Sequence, residues 1–198
     1  MPKLKKEITR QLRDSSRTLA ATVKLAPQLE RAAEALIAAF RRGSKIMTFG
    51  NGGSSCDAQN FADELVGRYR RNRPPLPALC LSASQADLTS IANDFGYEKV
   101  FERQLQAHAK PGDIAVGIST SGNSRNVLSA VAAAKKLGLL TIGLTGADGG
   151  KLKHAVDLVI RVPSSSTARI QEAHITVIQI WCGLIEDALF PNAPKAHA

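Results

Sequence analysis

The sequence predicts a three-layer α/β/α domain on a five-stranded parallel sheet, and three observations carry that expectation. Short apolar segments recur at 45–49, 77–81, 114–119, 139–144 and 157–162. Stretches of helical periodicity, at 57–68, 98–109 and 126–137, lie between them. The apolar segments are continuous rather than alternating, as strands covered on both faces are.

Taken in order, residues 4–42 read as two amphipathic helices. Leu4, Ile8 and Leu12 share one face of the first. Leu29, Ala33, Leu36, Ile37 and Phe40 line the second, which closes at Arg41-Arg42-Gly43. Residues 1–44 are therefore expected to form a helical hairpin that packs on the core and in contacts between copies, and residues 45–198 one compact unit. A chain of 198 residues with 44% hydrophobic content suits one such core.

Sheets of this kind bind ligands at the carboxyl ends of their strands, so the strand exits matter most. Here they are polar and small: Asn51-Gly52-Gly53-Ser54-Ser55, Ser82-Ala83-Ser84, Ser119-Thr120-Ser121-Gly122-Asn123-Ser124, Thr145-Gly146 and Pro163-Ser164-Ser165-Ser166-Thr167. Glycine permits close backbone approach, while hydroxyls and the free N–H groups of a following helix donate hydrogen bonds. Several such turns at one sheet edge make a phosphate cradle. Neither a GxGxxG run nor a P-loop occurs, so it is not of the nucleotide type.

The formal net charge is +9, concentrated in Lys3, Lys5, Lys6, Arg10 and Arg13 and in Arg68, Arg70, Arg71 and Arg73. That balance suits anionic small molecules, acidic proteins or nucleic acid, or else a solvated basic face. No zinc-finger, RNA-binding or helix-turn-helix signature accompanies it, which speaks against nucleic acid. Cys56, Cys80 and Cys182 lack paired metal-ligand spacing and are expected to be free thiols in packed positions. No apolar run suffices for a membrane span, and residues 1–7 lack the core of a signal peptide. A cytoplasmic location is expected.

Asn51-Gly52-Gly53-Ser54, Ile91-Ala92-Asn93-Asp94, Ile118-Ser119-Thr120-Ser121-Gly122-Asn123-Ser124, Leu144-Thr145-Gly146 with Asp148-Gly149-Gly150, and Arg169-Ile170-Gln171-Glu172 with His174 follow one another along the chain. Together they resemble the sugar isomerase (SIS) domain and, within it, the phosphoheptose isomerases. The resemblance extends to Leu189-Phe190. It implies a flavodoxin-like SIS sandwich and a homotetramer. It also implies interconversion of sedoheptulose 7-phosphate with D-glycero-D-manno-heptose 7-phosphate, for lipopolysaccharide precursors. Residue by residue, it implies a substrate loop of Asn51, Gly52, Gly53 and Ser54, sugar contacts at Asn93 and Asp94, and a phosphate loop of Ser119, Thr120, Ser121 and Ser124. Arg68 and Gln171 match further substrate-side positions.

The active centre departs from that pattern. Zinc-binding members use a histidine and a glutamate one turn apart, then a glutamine and a second histidine on the last helix. Here those positions read Asn60, Glu64, Gln171 and Gln179. Carboxamide oxygens are poor zinc ligands beside imidazole, so no cofactor is expected to be required.

An aldose–ketose isomerase must move a proton between adjacent carbons through an enediolate. Glu64 can be the carbon base, and Gln179 can stabilise by hydrogen bonding. His174 is the candidate second proton carrier, against the plainer reading of a structural histidine. An alternative keeps the phosphosugar cradle without turnover. Gly122-Asn123-Ser124-Arg125 and Asp187-Ala188-Leu189-Phe190-Pro191 look like the DnaA-binding replication regulators that share this fold, with a DnaA-like partner. Gly53-Ser54 and Glu64-Leu65-Val66-Gly67-Arg68-Tyr69-Arg70 look more like the isomerases.

Overall fold

The computed structural model describes residues 2–196. The segment Ile46–Gly50 is buried at every position and forms β1. It is followed by β2 (Ala78–Cys80), β3 (Ile114–Ile118), β4 (Leu140–Thr145) and β5 (Leu158–Arg161). The strands make one parallel sheet of order β2-β1-β3-β4-β5. The chain moves outward from β1 to β2 and then returns to the other side of β1, so the order reverses between β1 and β3. Gly50 pairs with Ile118, which brings the two serine- and glycine-rich exits side by side.

Helices cover both faces: α1 (Pro2–Thr22), α2 (Ala26–Arg41), α3 (Gly53–Val66), α4 (Gln85–Phe95), α5 (Val100–His108), α6 (Arg125–Lys136), the single turn α7 (Leu152–Ala155) and α8 (Thr167–Leu189). On one face α2, α3 and α8 bury Leu36, Phe61, Val177 and Trp181 against the sheet. The Trp181 ring lies 5.9 Å from that of Phe61 and donates its N–H to the Leu29 carbonyl, joining α8 to both neighbours. On the other face α5 and α6 bury Phe101, Leu105 and Val131 against Met47 and Phe49.

The expected N-terminal hairpin is replaced by a different arrangement. Thr22 (φ −67°, ψ −20°) and Ala26 (φ −47°, ψ −43°) both keep helical angles, and a 3-10 turn at Val23–Leu25 joins α1 to α2. With no extended residue to reverse the chain, each helix packs on α8 instead of on the other. The helix α4 is absent from the periodicity reading although Leu88, Ile91 and Ala92 share one face that packs on the core; its residues are at most half-buried, which leaves the stripe short and weak. Ser84 starts it by accepting from the Asp87 N–H. Cys80 and Cys182 are buried free thiols as expected, but Cys56 is exposed on α3, whose buried face is carried by its neighbours Asp57 and Ala58.

In the arginine cluster after α3, Arg70, Arg71 and Arg73 are engaged within the chain. Arg73 is buried and pairs with buried Glu186, while Arg71 pairs with Asp187 and the Arg70 guanidinium lies over Tyr69. In the N-terminal cluster, Arg10 is engaged by Glu7 and Asp14 on its own helix. Among the described residues no helix is long and apolar enough to cross a membrane.

Candidate active site

The site is built at the carboxyl edge of β1, β3 and β4. After β1 the chain turns at Gly52 (φ +54°), a left-handed conformation that suits glycine, and enters α3 at once. Gly53 backs directly onto α8, where a Cβ on it would lie 2.2 Å from Nε2 of Gln171. After β3, the Ser119 and Ser124 hydroxyls hydrogen-bond to each other at 2.9 Å across a turn closed by the Gly122 N–H and the Ser119 carbonyl. Thr120 accepts the Gly146 N–H through its carbonyl, and the Ser121 hydroxyl accepts the Asn123 N–H.

This turn interlocks with the one after β4. A Cβ on Gly122 would sit 2.1 Å from the Gly149 carbonyl oxygen, and one on Gly150 would sit 2.4 Å from that of Ser121. The Asn123 side chain completes the joint, accepting the Lys151 N–H and donating to the Ser121 carbonyl.

Three helices, α3, α6 and α8, start from the glycine- and serine-rich strand exits. The cap residues of α3, α6 and α8 are Gly52, Ser124 and Ser166, and none makes a side-chain cap hydrogen bond. Ser124 spends its hydroxyl on Ser119 instead. The cap residues of α2, α5 and α7 make no such bond either, and among the described residues only α4 has a side-chain cap, from Ser84. Helix N-termini that begin at neighbouring strand exits without side-chain caps offer N–H donors and positive dipole ends to an anion.

The structure assigns Asn51 a tie rather than an open contact. Asn51 and Asn126 exchange side-chain hydrogen bonds, both at 2.8 Å, and the Tyr97 hydroxyl donates to Asn51 Oδ1 at 3.0 Å. Tyr97 thereby brings the junction after α4 over the glycine turn. Asn93 and Asp94, on the last turn of α4, are exposed and hydrogen-bonded to each other. Arg68 is exposed and, among the described residues, makes no ion pair.

Asn60, Glu64 and Gln179 come together as the spacing suggests, all half-buried between α3 and α8. Gln179 Nε2 donates to Asn60 Oδ1 at 2.8 Å and to Glu64 Oε1 at 3.2 Å. Gln171 stands apart from them, against Gly53. His174 requires a correction. Its ring is fully buried and its Nε2 donates to the Thr145 carbonyl at 3.2 Å, so it is packed against the end of β4 with no surface open to a ligand. Burial is the main cause that lowers its pKa to about 4, only partly opposed by the Thr145 hydrogen bond. It is a core histidine rather than a proton carrier.

Sequence reasoning passed over Asn126, Tyr97 and Asp57. Only Asp57 carried a signal, as an acidic residue flanked by apolar-face positions on a helix. It is buried, Oδ2 has no protein hydrogen-bond partner, and burial raises its pKa to about 6.

Asp57 and His174 act on stability with opposite signs. Between about pH 4 and 6 the native chain keeps an Asp57 proton that the unfolded chain has released, so stability falls as pH rises through that window. Between pH 6.5 and about 4 the unfolded chain protonates His174 first, so stability falls as pH drops. Asp57→Asn should therefore raise stability at pH 7 by about 1–2 kcal/mol and steepen the loss toward pH 4.5. Denaturant melts across that range check it, and a variant less stable at pH 7 would contradict the burial account.

Fold and cradle together define a phosphosugar-binding α/β domain. The SIS domain family model matches residues 11–146. The phosphoheptose isomerase of Rhodospirillum rubrum is 51% identical over 83% of this chain and 87% of its own length. That of Geobacter metallireducens is 48% identical over 94% of this chain and 100% of its own. The structure of a phosphoheptose isomerase from Francisella tularensis superposes with a TM-score of 0.90 at 35% identity, covering 94% of this chain and 100% of the other. The chain belongs to the SIS domain family and, within it, to the phosphoheptose isomerases.

Proposed function

We propose that this chain isomerises sedoheptulose 7-phosphate and D-glycero-D-manno-heptose 7-phosphate, in the cytoplasm, as a step toward lipopolysaccharide precursors. The observation that carries the reading is the convergence of the glycine turn after β1 with the interlocked serine and glycine turns after β3 and β4, together with the Asn60–Glu64–Gln179 group, whose only carboxylate is Glu64. The turns hold the phosphate. Glu64 faces the reacting carbons and moves the proton between them. The relatives named above carry isomerase names, which favours turnover over a phosphosugar-binding regulator of replication.

In this reading no zinc is needed. The four matched positions supply one carboxylate and three amides, with neither imidazole nor thiolate. Gln179 already occupies Asn60 Oδ1 and one Glu64 oxygen. The nearby Cys182 thiol is buried, and burial first and Glu64 second push its pKa up, so it stays protonated. These residues do not fit zinc. Among the described residues no three His, Cys, Asp or Glu side chains cluster as a metal site.

Assembly into a homotetramer belongs to the same proposal. Leu4, Ile8 and Leu12 on α1 are 69%, 60% and 67% exposed, an apolar stripe that this chain alone does not cover. Four copies by light scattering are expected, and a stable monomer would refute the assembly.

The catalytic test is incubation with sedoheptulose 7-phosphate in deuterated water, followed by NMR. Deuterium at C1 or C2 is expected. Calorimetric binding of the sugar phosphate with no exchange would leave a binding module in place of an enzyme.

A further inference from the structure

The orientation of the two amides beside Glu64 follows from hydrogen-bond chemistry. A carboxylate only accepts, so the Gln179 atom 3.2 Å from Glu64 Oε1 is the amide nitrogen. That same nitrogen lies 2.8 Å from Asn60, and as a donor it requires the oxygen Oδ1 there. Both Gln179 N–H bonds are then spent. Asn60 is left with Nδ2, which makes no hydrogen bond among the described residues. The acceptor character of one carboxylate is thus relayed through Gln179 to decide which end of Asn60 is free.

We propose that this relay makes Asn60 a catalytic hydrogen-bond donor, its Nδ2 aimed at the oxygen that becomes negative in the enediolate, with Gln179 as the positioning residue for both Asn60 and Glu64. The proposal rests on the isomerase reading. In the step, the substrate C–H bond breaks and its proton forms a bond to Glu64. The C–H electron pair becomes the carbon–carbon double bond, and the carbonyl π pair moves to oxygen, where the Asn60 N–H meets it. The enediolate's hydroxyl proton then passes to the adjacent negative oxygen, the O–H pair it leaves forms the new carbonyl, and the carbon–carbon π pair takes the proton back from Glu64 at the neighbouring carbon. A neutral amide does here what a cation does elsewhere, and its contribution is that of one oxyanion donor. It also revises the expectation for Gln179, whose donors are consumed within the protein and so do not reach substrate.

The test uses the full-length protein and sedoheptulose 7-phosphate. Asn60→Ala should lower kcat about 100-fold with little change in KM, the signature of an interaction made only in the transition state. Gln179→Ala should also lower kcat more than it raises KM. It should shift the side-chain ¹⁵N–¹H signals of Asn60 in the ligand-free protein, a readout independent of turnover. Full turnover in Asn60→Ala overturns the proposal while the isomerase reading stands. Stoichiometric zinc in the purified protein, by plasma mass spectrometry, likewise overturns it. A parent protein that binds the sugar phosphate but never exchanges its hydrogen removes the isomerase reading and this proposal together.

Discussion

Glu64→Gln is expected to abolish hydrogen exchange into the sugar phosphate, with a fall of roughly 10²–10⁴ in rate, the range for losing a positioned acid–base group. The substitution keeps the shape and the carbonyl oxygen that Gln179 can still bond, so the packing between α3 and α8 should survive. In the proposed reading the phosphate is held elsewhere, at the turns after β1 and β3. Binding measured by calorimetry should therefore stay close to that of the parent. Exchange at an undiminished rate would remove Glu64 from the chemistry, and lost binding would mean that the carboxylate holds substrate rather than moves its proton.

The largest effect on stability is expected from Glu186→Ala. Glu186 accepts the N–H groups of Tyr69, Arg70 and Arg71 at 2.8–2.9 Å and pairs with Arg73 at 3.0 Å, with both charged side chains essentially out of water. Arg73 in turn donates to the carbonyls of Glu64 and Leu65, both at 2.7 Å. Removing the carboxylate strands a buried guanidinium and three amide donors. That should cost about 3–5 kcal/mol, or roughly 10 °C in Tm for a chain of this size. Replacing both partners together, Arg73→Met with Glu186→Leu, should recover much of the loss, because an unpaired charge costs more than an absent pair. Calorimetric melts of the single and double variants decide it, and a harmless Glu186→Ala would refute the clamp.

The strands were legible because buried parallel strands announce themselves as unbroken apolar runs, and the predicted segments lie within a residue or two of those observed. The strand exits were legible for a related reason: a chain that must approach an anion closely uses glycine and serine in places where a core would not. What escaped was set by contacts between distant segments. Arg73 read as one more surface arginine until Glu186, far along the chain, was folded against it. Asn126 carried no local hint that it would pair with Asn51. His174 misled because its neighbours on the sequence, Gln171 and Gln179, do face α3, while its own position on α8 turns toward β4. Helical spacing alone does not say which of two adjoining faces meets the substrate.

The interlock of Gly122 with Gly149 and Gly150 has a consequence for inheritance. Each turn touches the backbone of the other at a distance that leaves no room for a methyl group. Neither turn can therefore drift alone. A side chain gained in one must be matched by a rearrangement in the other, although separate strands carry them. Together they behave as a single heritable part.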